Sequence, residues 1–179
     1  AAAAAALTSV TFPSLSLGVD PGSNPVKVGH IGLGVRGGRL LQYTSSIPAA
    51  KVVAVCDVYK PHLQKGVNGA NNENVKTYHD DRDLLNDPEI EAVVIACPDH
   101  WHEKMLIDAM KAGKDVYCEK GWTTSVAAAK RMRATVKKYD RVMQLGHQGR
   151  QHAAADVAKK MIEDGALGDV TLIKIGRYF

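Results

Sequence analysis

From Val26 onward, short apolar runs alternate with amphipathic stretches, and the switch in period outlines the elements. Val26 to Ile31 reads as a first strand, an amphipathic stretch follows three closely spaced glycines, and Lys51 to Asp57 forms a second apolar run ending on a carboxylate. Beyond it, Pro61 to Ala70 predicts a short helix, Val75 to Tyr78 a strand, and Asp80 to Asn86 a helix opened by an acidic cap. Ala92 to Cys97 has the continuous apolar character of a buried parallel strand. His100 to Ala112 carries Met105, Leu106, Ala109 and Met110 at helical spacing and stops at Gly113, a C-terminal glycine. Asp115 to Cys118 predicts a fifth strand, Thr123 to Tyr139 a long Ala- and Lys-rich helix, and Val142 to Leu145 a sixth strand. A last helix over Gln151 to Asp164, closed by Gly165 to Gly168, leads into an apolar strand beginning at Asp169 and running to Phe179. Strands alternating with helices, without internal repeat, imply an α/β fold with an open parallel sheet wound in two halves.

The glycines give that sheet a ligand. Gly32, Gly34 and Gly37 follow the first strand and open a helix, and Asp57 stands twenty residues after Gly37 at the end of the second strand. In a Rossmann fold the first glycine allows a tight turn, the second admits a diphosphate to the backbone, and the third lets helix and strand pack closely. The diphosphate sits at the positive helix N-terminus, here formed by Gly34, Val35, Arg36 and Gly37. A carboxylate at Asp57 accepts from ribose hydroxyls and repels a 2′-phosphate, so the predicted cofactor is NAD rather than NADP.

Composition narrows the partners. In 179 residues, 45% hydrophobic and 23% charged, there is enough apolar material for a sizeable core. The net charge of +4 is scattered, with no basic stripe or interleaved aromatics to suggest nucleic acid. The three cysteines, Cys56, Cys97 and Cys118, form no C-x-x-C pair and read as small buried side chains rather than a disulfide framework. Residues 1–25 read as a leader. Ala1 to Ala6 and the apolar residues after them resemble the end of an export signal, lacking a basic start, or an appended tail; they are too short to span a bilayer. As an export signal the leader places the protein in the periplasm or outside the cell; otherwise the cytoplasm is expected.

The remaining candidate chemistry clusters where the strands end: Cys97-Pro98-Asp99-His100-Trp101-His102, Glu119-Lys120-Gly121-Trp122 and Gly146-His147-Gln148-Gly149-Arg150. Cys97, His100 and His102 lack a clear fourth ligand, so no metal is predicted. The glycine fingerprint, the Pro98-x-x-x-His102 turn, the Glu119-Lys120 pair and the Gly113-Lys114-Asp115-Val116 strand entry together resemble the Gfo/Idh/MocA oxidoreductases, over about Val26 to Phe179. That resemblance implies NAD-linked oxidation or reduction of a secondary hydroxyl on a sugar or cyclitol. It implies Lys120 at the reacting oxygen, Glu119 orienting the lysine and helping hold the nicotinamide ribose, and Cys97, Pro98 and His102 in the cofactor loop. Trp122, His147, Gln148 and Arg150 stand where substrate could be met.

Two departures qualify the resemblance. Gly121 replaces the family's usual proline, and none of the seven histidines follows an aspartate by four residues, the family's proton-transfer element in its second domain. The expected organisation is a dinucleotide-binding domain over 26–150, then a linking helix and first strand of a largely missing α+β substrate domain over 151–179, through which a homo-oligomer would form. Two other activities are compatible with these residues. One is glycoside cleavage by transient oxidation, slightly favoured by Gly121, and the other is a non-catalytic NAD-binding fragment or partner module.

Overall fold

The computed structural model describes residues 24–174; the Ala-rich leader and the end of the last expected strand, from Ile175 on, lie outside these. Six strands form one parallel sheet in the order β3-β2-β1-β4-β5-β6, with the order reversing beside β1. They are β1 (Val26–Ile31), β2 (Ala50–Cys56), β3 (Lys76–Tyr78), β4 (Ala92–Ile95), β5 (Asp115–Glu119) and β6 (Met143–Gly146). The helices are α1 (Val35–Ser45), α2 (Lys60–Gly69), α3 (Asp81–Asn86), α4 (Asp99–Lys111), α5 (Val126–Tyr139) and α6 (Ala153–Glu163). This is the doubly wound Rossmann arrangement that the alternating pattern implies.

Period-two alternation sends apolar side chains to both faces of the sheet, interrupted in β2 by a register shift opposite Val28 and Gly29 that brings Val52 and Val55 to one face. Ile31, Val53, Val93, Ile95 and Cys118 pack with Leu84, Leu106, Met110 and Met132 from α3, α4 and α5. On the other face Val52 and Val55 pack with Leu33, Leu41 and Leu63 beside α1 and α2. Burial holds the three free thiols neutral, their pKa values pushed up to about 12.

Several predicted boundaries shift for local reasons. The fourth strand stops at Ile95 rather than Cys97: Ala96 N still donates to Ile31 O, but β1 turns away at Gly32 and leaves no further ladder partner. The long helix starts at Val126 rather than Thr123, because Ser125 accepts from Ala128 N and caps it. Asp80 caps α3 as expected, accepting from Arg82 N. Gly113, at φ +75°, ends α4, and Lys114 N closes the turn on Ala109 O. The helix expected from Gln151 begins at Ala153, preceded by a 3₁₀ turn over Gln148–Gln151. Of the strand expected from Asp169, Thr171 to Lys174 are exposed and carry no strand pairing among the described residues, and the remainder lies outside them. A strand forms only against a neighbour's unpaired backbone.

One buried group has no partner. His30, in β1 among apolar side chains, is fully buried with neither ring nitrogen hydrogen-bonded, and burial pushes its imidazole down to about 3. No described helix is long and apolar enough to cross a membrane.

Candidate active site

The register of the sheet brings the predicted residues to one edge. Ile31 pairs with Cys56 and with Ile95, so Gly32, Asp57 and Ala96 leave their strands at one level; Glu119 pairs with Gly146, which sets Lys120 beside His147.

The three glycines do different work. Gly32 has φ +87°, and a Cβ there would stand 2.7 Å from Ala96 O. At Gly37 a Cβ would lie 1.9 Å from Gly32 O, so the close crossing of α1 over β1 excludes any side chain. Gly34 is unlike both, because its nearest neighbour to an added Cβ is His62 Cε1 at 3.8 Å, an ordinary contact. Among the described residues nothing requires glycine at 34. Its bare face, directly before the first turn of α1, is a cradle that a side chain would fill, and the unpaired N–H groups of that turn suit a diphosphate.

Asp57 is fixed at the end of β2. Its Oδ2 accepts from Leu33 N at 2.7 Å, tying the glycine turn to β2, and its Oδ1 accepts from Tyr59 N at 2.8 Å. His62 Nδ1 lies 3.4 Å from Oδ2, and the rings of His62 and Tyr59 meet edge to face at 4.9 Å. Two backbone donors leave the carboxylate with lone pairs free for ribose hydroxyls. Tyr59 and His62 escaped the sequence reading, although Tyr59-x-x-His62 directly after the carboxylate, at the start of a helix, puts a ring back toward it.

At the other end of the edge, Glu119 is 3% exposed. Arg36 donates to its Oε1 from Nε at 2.7 Å and reaches the same oxygen from its terminal nitrogen at 2.6 Å. Lys120 N donates to Oε2 at 3.1 Å, and Tyr117 OH lies 3.4 Å from Oε1. Glu119 therefore clamps the first turn of α1 to the end of β5, a pairing across 83 residues that neither motif announced by itself. The Lys120 side chain is exposed and forms no ion pair among the described residues.

His102 is fully buried, with Nδ1 2.6 Å from Gly121 O and Nε2 2.9 Å from Cys97 O. It joins the loops after β4 and β5 and has no face turned to solvent. Cys97 is half-buried, with Sγ 3.3 Å from Met105 Sδ, and Pro98 is exposed at the start of α4. Trp122 packs on the core beneath α4 and α5 rather than standing free, whereas His147 and Gln148 are exposed; the side chain of Arg150 is outside what is described. Among the described residues no group of three histidine, cysteine or carboxylate side chains is placed to hold a metal.

Comparison with known proteins agrees with this geometry. A family model described as an oxidoreductase family with an NAD-binding Rossmann fold matches residues 26–147. Inositol 2-dehydrogenase 1 of Saccharopolyspora erythraea is 34% identical over 150 residues, covering 83% of this chain and 44% of that protein. The inositol 2-dehydrogenase of Salmonella typhimurium is 30% identical, covering 86% and 46%. Among solved structures, scyllo-inositol dehydrogenase of Lactobacillus casei, with bound NAD(H) and scyllo-inositol, superposes with a TM-score of 0.76 at 26% identity, covering 83% of this chain and 44% of that one. The myo-inositol dehydrogenase of the same organism, in complex with NAD(H) and myo-inositol, gives 0.74 at 30% identity, covering 81% and 43%. The chain thus spans less than half the length of these relatives. Its glycine turn, Asp57 and the Glu119-Lys120 pair fall within the matched residues, and by this match the chain belongs to the Gfo/Idh/MocA oxidoreductase family with its NAD-binding Rossmann fold.

Proposed function

We propose that this chain is the cofactor-binding part of an NAD(H)-dependent dehydrogenase acting on a secondary hydroxyl of a cyclitol. The observation that carries the reading is Gly34, a glycine that no packing requires, set between a fixed carboxylate at Asp57 and an exposed lysine at Lys120. Bound NAD supplies the hydride acceptor. Asp57 takes the adenosine ribose hydroxyls, and the first-turn amides of α1 take the diphosphate. Hydride loss from a carbon requires its hydroxyl to lose a proton, here to solvent water, while the Lys120 ammonium would stabilise the negative charge developing on that oxygen. Glu119, held by Arg36, fixes the Lys120 backbone, while His102 fixes the two loops between which the nicotinamide would lie. His147 and Gln148, beside Lys120, are the residues offered to substrate. The cyclitol class is favoured by the named activities of the relatives.

The test is a titration of the chain with NADH, followed by energy transfer from Trp101 and Trp122, then NAD reduction with myo-inositol and scyllo-inositol. The expected results are saturable NADH binding by the chain, weakened at least tenfold by Asp57→Ala, and, in the full-length dehydrogenase of which it is the cofactor-binding part, cyclitol-dependent NADH formation abolished by Lys120→Met. Failure of a folded chain to bind NADH would overturn the reading.

A further inference from the structure

Two residues one turn apart on α4 meet the same glycine. Buried His102 sets its Nδ1 2.6 Å from Gly121 O; Asp99, three residues earlier on the same helix face, stands one turn nearer the sheet's C-terminal edge. A Cβ on Gly121 would lie 3.3 Å from Asp99 Oδ2, a crowded contact, so the carboxylate lies over this glycine, next in sequence to Lys120. His102 already joins the two loops, which leaves Asp99 without a structural task. It is exposed, and among the described residues its side chain takes part in no hydrogen bond or ion pair.

That makes Asp99 an exception at this edge. Asp57 accepts from Leu33 N and Tyr59 N, Asp80 from Arg82, Asp81 from Lys104, and Glu119 from Arg36 and Lys120 N. Of these carboxylates, which end or follow β2 to β5, Asp99 alone is unengaged among the described residues. The Lys120 side chain is likewise exposed and unpaired, so two opposite charges adjoin Gly121 without closing on each other. An ammonium offers donors and a carboxylate only acceptors. Close but unjoined, the two complement a pair of neighbouring hydroxyls, one accepting from the lysine and the other donating to the carboxylate. Glycine at 121 leaves that carboxylate free of any Cβ.

We propose that Asp99 binds substrate, accepting a hydrogen bond from the hydroxyl next to the one that Lys120 attends, and so selects rings with adjacent hydroxyls. The inference rests on the dehydrogenase reading for the role of Lys120 and for the substrate class. Asp99 acts on specificity and moves no proton. A hydrogen bond to a hydroxyl that does not react is formed in ground state and transition state alike, so its loss raises KM and leaves kcat nearly unchanged.

The experiment uses the full-length dehydrogenase of which this chain is the cofactor-binding part. It compares the parent with Asp99→Ala and Asp99→Asn, using myo-inositol and a deoxyinositol that lacks one hydroxyl beside the reacting carbon, with an NADH titration of each protein. Asp99 is an exposed helix position, so circular dichroism and the urea midpoint should match the parent. The expected result is that Asp99→Ala raises KM for myo-inositol about tenfold, with kcat and NADH affinity within about twofold of the parent. Asp99→Asn, which keeps one acceptor oxygen, recovers part of that loss. The parent's preference for myo-inositol over the deoxyinositol shrinks by the same factor in Asp99→Ala. An unchanged KM, or a preference that the variant keeps, overturns the proposal. Loss of NADH affinity in step with KM gives the carboxylate to the cofactor and also overturns it. A parent that binds NADH but oxidises no cyclitol overturns the proposed substrate class, and this inference falls with it; the other results overturn this inference alone.

Discussion

The two ends of the sheet's C-terminal edge are built to opposite designs. At Asp57 the carboxylate itself is pinned, each oxygen taking a backbone N–H from a different loop, so on the proposed function its ribose-binding geometry would exist before any ligand arrives. At Lys120 the carboxylate beside the functional group is pinned and buried, while the lysine side chain stands in solvent without a partner among the described residues. On the proposed function the difference separates binding from chemistry. A rigid acceptor would select a ligand, whereas Lys120 would meet charge only as it develops on a substrate oxygen.

The sharpest way to break this contrast is to remove what both ends share, the crossing of α1 over β1. Gly37→Ala would force a Cβ against Gly32 O, and we expect a loss of about 4 kcal/mol in urea unfolding, at the upper end for overpacking. Next, Glu119→Ala leaves Arg36 without its carboxylate and cuts the clamp between α1 and β5; the expected cost is about 3 kcal/mol. Asp57→Ala removes an acceptor for two backbone donors at an edge position and should cost only about 1 kcal/mol, while NADH affinity falls at least tenfold. That split between stability and affinity is the signature expected at the binding end alone.

The floor beneath both ends carries its own pH dependence. In the folded chain burial holds the His30 imidazole at about 3 against an ordinary 6.5, so between those values the unfolded chain binds a proton that the folded chain does not. Stability contributed by this site is therefore complete above about pH 6.5 and is lost as pH falls toward 3, by up to about 1.4 kcal/mol per pH unit. His30→Leu should flatten that slope in urea midpoints measured across this range, and should cost little at neutral pH because the imidazole has no hydrogen bond to lose.

Much of this was legible along the chain because it rests on local chemistry. The alternation of apolar runs implied six strands in one parallel sheet wound in two halves, and the cap residues Asp80 and Gly113 stand where their types predict. The glycine spacing and Asp57 gave the edge on which a dinucleotide belongs. What was not legible depends on distant pairs. Nothing in Gly-Val-Arg announces that Arg36 reaches Glu119, and the resemblance that set Glu119 to orient Lys120 did not announce that the fold buries its carboxylate against the first turn of α1. His102 likewise reads as a loop histidine, yet its ring joins carbonyls from two loops that only the sheet brings together. The segment at Thr171 carries no strand pairing among the described residues, and strand pairing is settled by a neighbour and not by the segment's own residues.

The central claim is that Gly34 is glycine for a ligand and Gly37 is glycine for the fold, and the single variant Gly34→Ala tests it most directly. Backbone angles of φ −62° and ψ −167° at Gly34 suit alanine, and a Cβ there meets nothing closer than 3.8 Å. The account predicts a urea midpoint close to the parent's with NADH affinity reduced at least tenfold. Unchanged NADH affinity, or a loss of stability like that of Gly37→Ala, would contradict it.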